Sequence, residues 1–136
     1  AKFNASKVTT EQLLKDSDVL TLHTKLNDET KNMLNKDTIA SMKSSAVIIN
    51  CARGGLITEM DLKDCLDNDV IAGAAIDVYE KEPATENVMF GVKNLLLTPH
   101  LGASSKEAQV NVAIDVANQV SDYLKENKIV NNVNSF

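Results

Sequence analysis

Ala46-Val47-Ile48-Ile49-Asn50-Cys51-Ala52-Arg53-Gly54-Gly55 runs from four apolar residues into Asn, Cys, Arg and two glycines. An apolar run without polar alternation reads as a strand covered on both faces. Three further runs of this kind recur: Val19-Leu20-Thr21-Leu22, residues 71–78, and Leu95-Leu96-Leu97. They predict strands at 19–23, 46–50, 72–78 and 94–98. Helical patterns fill the gaps. Asn35 can cap a helix that runs to about Met42. Thr58 can cap another, whose Leu62, Cys65 and Leu66 form an apolar stripe. Ser104 with Glu107 makes an S-x-x-E capping box. The helix after it carries Ala108, Val112, Val116, Val120 and Leu124 at every fourth position. Strands alternating with helices predict an α/β fold, its parallel strands pairing in sequence order.

Composition bounds the function. The 136 residues suit one domain and one core, and no internal repeat or linker divides them. Apolar residues make up 43% and charged residues 24%, so the chain can bury a core and disorder is not expected. The net charge is −5 and no basic run appears, which argues against a nucleic-acid partner. No apolar stretch approaches the roughly 20 residues of a membrane span. Ala1-Lys2-Phe3-Asn4 is not a signal peptide, and its lack of Met fits a processed, tagged or cut end. Cys51 and Cys65 form neither a CxxC nor a disulfide framework, so reduced thiols in the cytoplasm are expected. Two His and two Cys without ligand spacing predict no metal site.

Parallel strands in sequence order require crossovers of one hand, which places the connecting helices on one face of the sheet. The other face then has only the N-terminal segment and the last helix to cover it. Either elements outside this sequence or a partner should supply the rest.

Ligands of open parallel sheets bind beyond the carboxyl ends of the strands. Here those ends carry reactive groups: His23-Thr24, then Asn50 to Gly55, then Asp77 with Glu82-Pro83, then Thr98-Pro99-His100. Arg53 is the only arginine among 14 basic residues. Its guanidinium can clamp a carboxylate through two parallel bonds, although an ordinary ion pair is the plainer alternative. Gly54-Gly55 would let backbone approach a ligand, or form a turn. His100 can exchange a proton near neutral pH, and Glu82 can reach it to orient the ring. Alone, such a histidine would be a turn residue. Asp77 sits in an apolar run and needs a partner, either a ligand or the following turn. His23 reads as structural. Cys51 as a thiol nucleophile has no supporting signature; a small buried apolar residue is the plainer reading.

Residues 49–55, 72–83 and 97–104 together resemble the NAD-dependent D-2-hydroxyacid dehydrogenases. The segment 101–109 is similar to that of the family's 3-phosphoglycerate branch, and Val130-Asn131-Asn132-Val133-Asn134 resembles the family's return from the nucleotide domain. The resemblance runs from about Val8 to the end. It implies a partial Rossmann (doubly wound) nucleotide-binding domain. Arg53 would bind the substrate carboxylate, His100 would be the acid/base and Glu82 its partner. NAD contacts would fall at Thr24, Cys51, Ala52, Arg53, Asp77, His100, Leu101, Gly102 and Ala103. The implied substrates are 2-hydroxy and 2-oxo acids, with 3-phosphoglycerate and serine biosynthesis foremost, and a D-lactate or glycerate/hydroxypyruvate enzyme as the alternative.

Two departures stand out. Lys25 replaces the family's usual proline after the His-Thr pair. None of the five glycines, at 54, 55, 73, 91 and 102, makes the family's G-x-G-x-x-G turn. Residues 1–136 are therefore expected to be the C-terminal part of a dinucleotide-binding domain, lacking its glycine-rich first half and the substrate domain. A missing half-domain or a second subunit of a homo-oligomer is expected to complete it. The competing expectation is a non-catalytic binding or oligomerisation fragment of the same fold.

Overall fold

The computed structural model describes residues 5–102 and 104–134 and divides the chain into two compact units, 1–100 and 101–136. In the first unit, helix α1 (Thr10–Asp16) precedes strand β1 (Val19–Leu22). Helix α2 (Lys36–Ala40) leads to β2 (Val47–Asn50), and helix α3 (Glu59–Asp67) to β3 (Gly73–Ile76). β3 connects to β4 (Leu95–Leu97) through residues 77–94, which contain no helix. The strands form one sheet in the order β1-β2-β3-β4, every pair parallel. The order and direction agree with the alternating pattern of the sequence, and the observed strands are shorter than the expected spans by one to three residues.

Local chemistry sets the helix starts. The Thr9 side chain accepts the Gln12 N–H at 3.2 Å to cap α1. The Asn35 side chain accepts from Asp37 and Thr38, and the Thr38 hydroxyl accepts the Asn35 N–H at 2.8 Å, closing a reciprocal cap on α2. Thr58 stands at the start of α3 as expected, but its hydroxyl makes no capping bond.

Cross-strand rows show how the sheet is covered. Leu20, Ile48, Ala74 and Leu95 form one row, and Leu22, Asn50, Ile76 and Leu97 the next. These rows join Leu34, Ile39, Leu56, Leu62, Leu66 and Met89 in the core. α2 and α3 pack together. The alternate row, Thr21, Ile49, Ala75 and Leu96, lies on the opposite face. There Val19 is 58% and Leu96 66% exposed. This is the more open face: Val47, Ile49 and Ala75 are half-buried on it, whereas Leu20, Leu22, Ile48 and Ile76 on the other are buried. β1 is an edge strand.

The second unit is built on helix α4 (Lys106–Glu126). Its N-cap is Ser105, whose side chain accepts the Ala108 N–H at 3.1 Å. The cap expected at Ser104 therefore falls one residue later, because the Ser105 hydroxyl is the one within reach of the third helical N–H. Asn127 closes the helix in a left-handed conformation (φ 52°), its N–H directed at the Asp122 and Tyr123 carbonyls. The stripe Val112, Val116, Val120 and Leu124 is exposed, and α4 buries none of its residues. Among the described residues, no helix is long and apolar enough to cross a membrane, and no cluster of metal-ligating side chains occurs.

Candidate active site

Three of the polar groups singled out in the sequence line one cavity of about 270 Å³: Arg53, Glu82 and His100, together with Gly54, Val78, Tyr79 and Glu80. β2 delivers Arg53 through a tight turn. The Asn50 side chain, buried at the end of β2, donates to the Arg53 carbonyl at 3.0 Å and accepts the Ala52 N–H at 3.1 Å. Gly54 follows because nothing larger fits: a Cβ there would lie 1.8 Å from the Tyr79 carbonyl oxygen. Gly55 turns the chain at φ +79°. The two glycines thus serve packing and a turn. Arg53 itself is exposed, and its Nη1 donates to the Ala52 carbonyl at 2.6 Å.

His100 follows β4. Its φ of +54° is left-handed, a conformation that costs a non-glycine residue about 1–2 kcal/mol. Such strain persists where surrounding contacts hold it, often at functional sites. The His100 N–H donates to the Thr98 carbonyl at 3.1 Å, and the ring Nδ1 lies 2.6 Å from Glu82 Oε2. Glu82 is not on a strand; it lies in the β3–β4 connection, ahead of a cis bond to Pro83. Its other oxygen, Oε1, accepts the Tyr79 N–H at 3.0 Å. The hydrogen bond from His100, then the one from Tyr79, hold the Glu82 carboxyl below its ordinary value.

Asp77 is 5% exposed. Its N–H donates to the Asn50 carbonyl at 3.0 Å, and its carboxylate accepts the Thr98 hydroxyl at 2.5 Å. The Tyr79 hydroxyl donates to the Thr98 carbonyl at 2.9 Å. Burial, then the carboxylates of Asp77, Glu59 and Glu82, push the Tyr79 phenol up, so it stays a donor. A larger apolar cleft of about 750 Å³ adjoins the pair and shares Tyr79, Glu82 and His100 with the smaller cavity; Pro83, Phe90, Leu97 and Pro99 also line it.

Other residues singled out in the sequence stand apart from this cluster. Thr24 lies beyond β1, half-buried, and Cys51 is exposed at the tip of β2. Both cysteines are free, and Cys65 is buried in α3. The buried apolar role considered for Cys51 belongs to Cys65 instead, because Cys51 sits past the last strand residue. His23 Nε2 lies 3.1 Å from the Thr21 hydroxyl, a contact within its own strand end. Leu101 and Gly102 are exposed in the second unit, and Ala103 lies outside the described residues. The bonds of three contributors had no signal in the sequence. Thr98 and Tyr79 are unremarkable residue types whose bonds span 21 and 19 positions. Glu59 begins α3 and looks like an ordinary acidic residue of a first helical turn, yet it accepts bonds from Glu80 and Asn87.

A family model, D-isomer specific 2-hydroxyacid dehydrogenase, NAD binding domain, matches residues 1–102. The chain belongs to this family. Within the 2-hydroxyacid dehydrogenases it is similar to the D-3-phosphoglycerate dehydrogenase of Bacillus subtilis (strain 168), 44% identical over 133 residues. That match covers 98% of this chain and 25% of the relative. The D-3-phosphoglycerate dehydrogenase of Synechocystis sp. is 49% identical over 112 residues, 82% of this chain and 20% of the relative. The chain thus spans a quarter or less of these two relatives. Among solved structures, a glyoxylate reductase from Paecilomyes thermophila superposes with a TM-score of 0.85 at 32% identity, covering 93% of this chain and 38% of that one.

Proposed function

We propose that the chain carries the acid/base and carboxylate-binding residues of an NAD-dependent oxidoreductase acting on a D-2-hydroxy acid. The observation that carries this reading is the 2.6 Å contact between His100 Nδ1 and Glu82 Oε2, on a cavity that Arg53 also lines. The names of the 2-hydroxyacid dehydrogenase relatives favour 3-phosphoglycerate and 3-phosphohydroxypyruvate as the substrate pair, a step of serine biosynthesis. A relative from Blautia hydrogenotrophica, 39% identical, is named hydroxypyruvate reductase, so hydroxypyruvate is the second substrate to try. In this reading residues 1–136 are the C-terminal part of a dinucleotide-binding domain, the enzyme is a cytoplasmic homo-oligomer, and a half-domain or second subunit completes the site.

The donor set at the strand ends fits a nicotinamide dinucleotide. Asp77 offers a buried carboxylate that can take an amide N–H, Thr24 a hydroxyl, and the turn after Asn50 small side chains that leave backbone accessible. The residues that would hold the cofactor are Thr24, Cys51, Ala52, Arg53, Asp77, His100, Leu101, Gly102 and Ala103. When bound, NAD supplies the hydride acceptor or donor. Oxidising the substrate hydroxyl removes a hydride from carbon and a proton from oxygen. With Nδ1 committed to Glu82, that proton belongs to His100 Nε2. Glu82 compensates the charge formed on the ring and fixes its tautomer. Arg53 holds the substrate carboxylate through a bidentate bond, which sets the reacting carbon against the histidine.

Steady-state kinetics of the active enzyme with the candidate oxo acids test this. Losing the bidentate clamp in Arg53→Lys should raise KM by about 10–100-fold, the worth of one charge-assisted hydrogen bond. His100→Ala should lower kcat by about 10²–10⁴-fold, the usual value of general acid–base catalysis. Near-normal kinetics for both variants would sink the assignment.

A further inference from the structure

The pair Glu82–His100 depends on a segment that apolar packing holds only at Ala84. Residues 80–83, 85 and 86 are exposed, and within 80–87 only Ala84 and Asn87 are half-buried. Something polar must fix the segment for Glu82 to meet the histidine at 2.6 Å. Glu59, the first residue of α3, is placed to do it. Its Oε1 accepts the Glu80 N–H at 2.8 Å, and its Oε2 accepts the Asn87 side-chain amide at 2.7 Å. The Asn87 amide oxygen in turn accepts the Met89 N–H at 2.9 Å, and Met89 is buried in the core.

We propose that Glu59 is a positioning residue for Glu82 and His100, its carboxylate tying both flanks of segment 80–87 to the start of α3. The plainer role for an acidic residue in a first helical turn is a favourable interaction with the helix dipole. That role needs no long-range partner, whereas here both oxygens are engaged 21 and 28 positions away. One bond would leave the segment a pivot. Two bonds, seven residues apart, fix its ends and leave Glu82 within a closed loop. The tie also acts next to the bond between the Tyr79 N–H and Glu82, because Glu80 follows Tyr79 directly. Catalytic groups need placing within roughly 0.5 Å, which a free surface segment of this length does not provide. The chain after Glu59 continues into α3, whose Leu62 and Leu66 are locked in the core, so the anchor is rigid.

This role rests on reading Glu82 and His100 as the acid/base pair, but its test needs no turnover. In the 136-residue chain, Glu82 is followed by carboxyl carbon NMR through a pH titration, and the Tyr79 and Glu80 amides by hydrogen exchange. In Glu59→Ala, the Glu82 midpoint should move up to the ordinary glutamate range, since its bonds to His100 and Tyr79 loosen. The Tyr79 amide should exchange about tenfold faster or more, although it bonds Glu82 and not Glu59. Glu59→Gln, which keeps an acceptor for the Glu80 N–H, should fall between. If only the Glu80 amide speeds up while Glu82 and Tyr79 keep their native behaviour, Glu59 is a local tie and the proposal fails. Should Glu59→Ala not fold, Asn87→Ala cuts one of the two ties and is read by the same signals. A full response of Glu82 beside a fully active His100→Ala enzyme would uphold the positioning and overturn only the acid/base reading.

Discussion

His100 and Glu82 show how a strained backbone and an exposed carboxylate are made to meet. The left-handed turn at His100 follows Pro99, and the ring then finds an oxygen that Tyr79 has oriented from the other side. The same bonds couple the site to acid stability. The folded-state value of Glu82 is depressed, so its stabilising contribution is present above the ordinary glutamate range and is lost as pH falls through the lower folded value. Thermal melts across acidic pH should show this decline in the native chain. Glu82→Gln should start less stable near neutral pH and lack that part of the acid-side slope. Parallel curves would mean the pair contributes nothing to folding, as partly exposed ion pairs sometimes do.

At the scale of elements, α3 links the core and the site. Its inner stripe, Leu62, Cys65 and Leu66, was legible from spacing alone because period 3.6 and burial agree. Its first residue was not, because Glu59 acts through partners that only the fold brings near. The sheet offers a matching contrast. Leu62 is fully buried, and Leu62→Ala should cost about 2–5 kcal/mol by urea denaturation, the transfer and cavity terms together. Leu96, on the open face, should lose no more than about 0.5 kcal/mol on the same change. Equal losses would show that the open face is covered in solution. The strand runs are apolar on both faces because the sequence encodes burial on both. In this chain the structure supplies full cover for one.

For the whole molecule, that mismatch governs behaviour. An edge strand at β1, beside the row Thr21, Ile49, Ala75 and Leu96 that is exposed at its two ends, leads us to expect association. Weak cofactor binding by residues 1–136 alone is expected for a different reason. Pyrophosphate is best held at a helix N-terminus after a glycine-rich turn. The helices here carry acidic first turns instead: Glu11 in α1, Asp37 in α2, Glu59 and Asp61 in α3, Glu107 in α4. Residues 1–136 alone should therefore bind NAD weakly, show no measurable dehydrogenase activity, and sediment as a dimer or larger species. Calorimetric titration with NAD and sedimentation velocity check these outcomes. Micromolar affinity in a strictly monomeric sample would overturn the account.

The order of elements, the parallel sheet, the core stripe of α3 and the reactive strand ends were all written in local pattern. Apolar runs, caps and their spacing act over a few residues, and one sequence suffices to read them. Arg53 stood out because it is the only arginine, and His100 because it follows a strand. What the tertiary structure alone decided acts across the chain. It brought Glu82 from a helix-free connection to His100, set Tyr79 and Thr98 around Asp77, and engaged Glu59 at the start of α3 with Glu80 and Asn87. These bonds join residues 18 to 28 positions apart, and a hydrogen bond of that span exists only once packing has fixed both its ends.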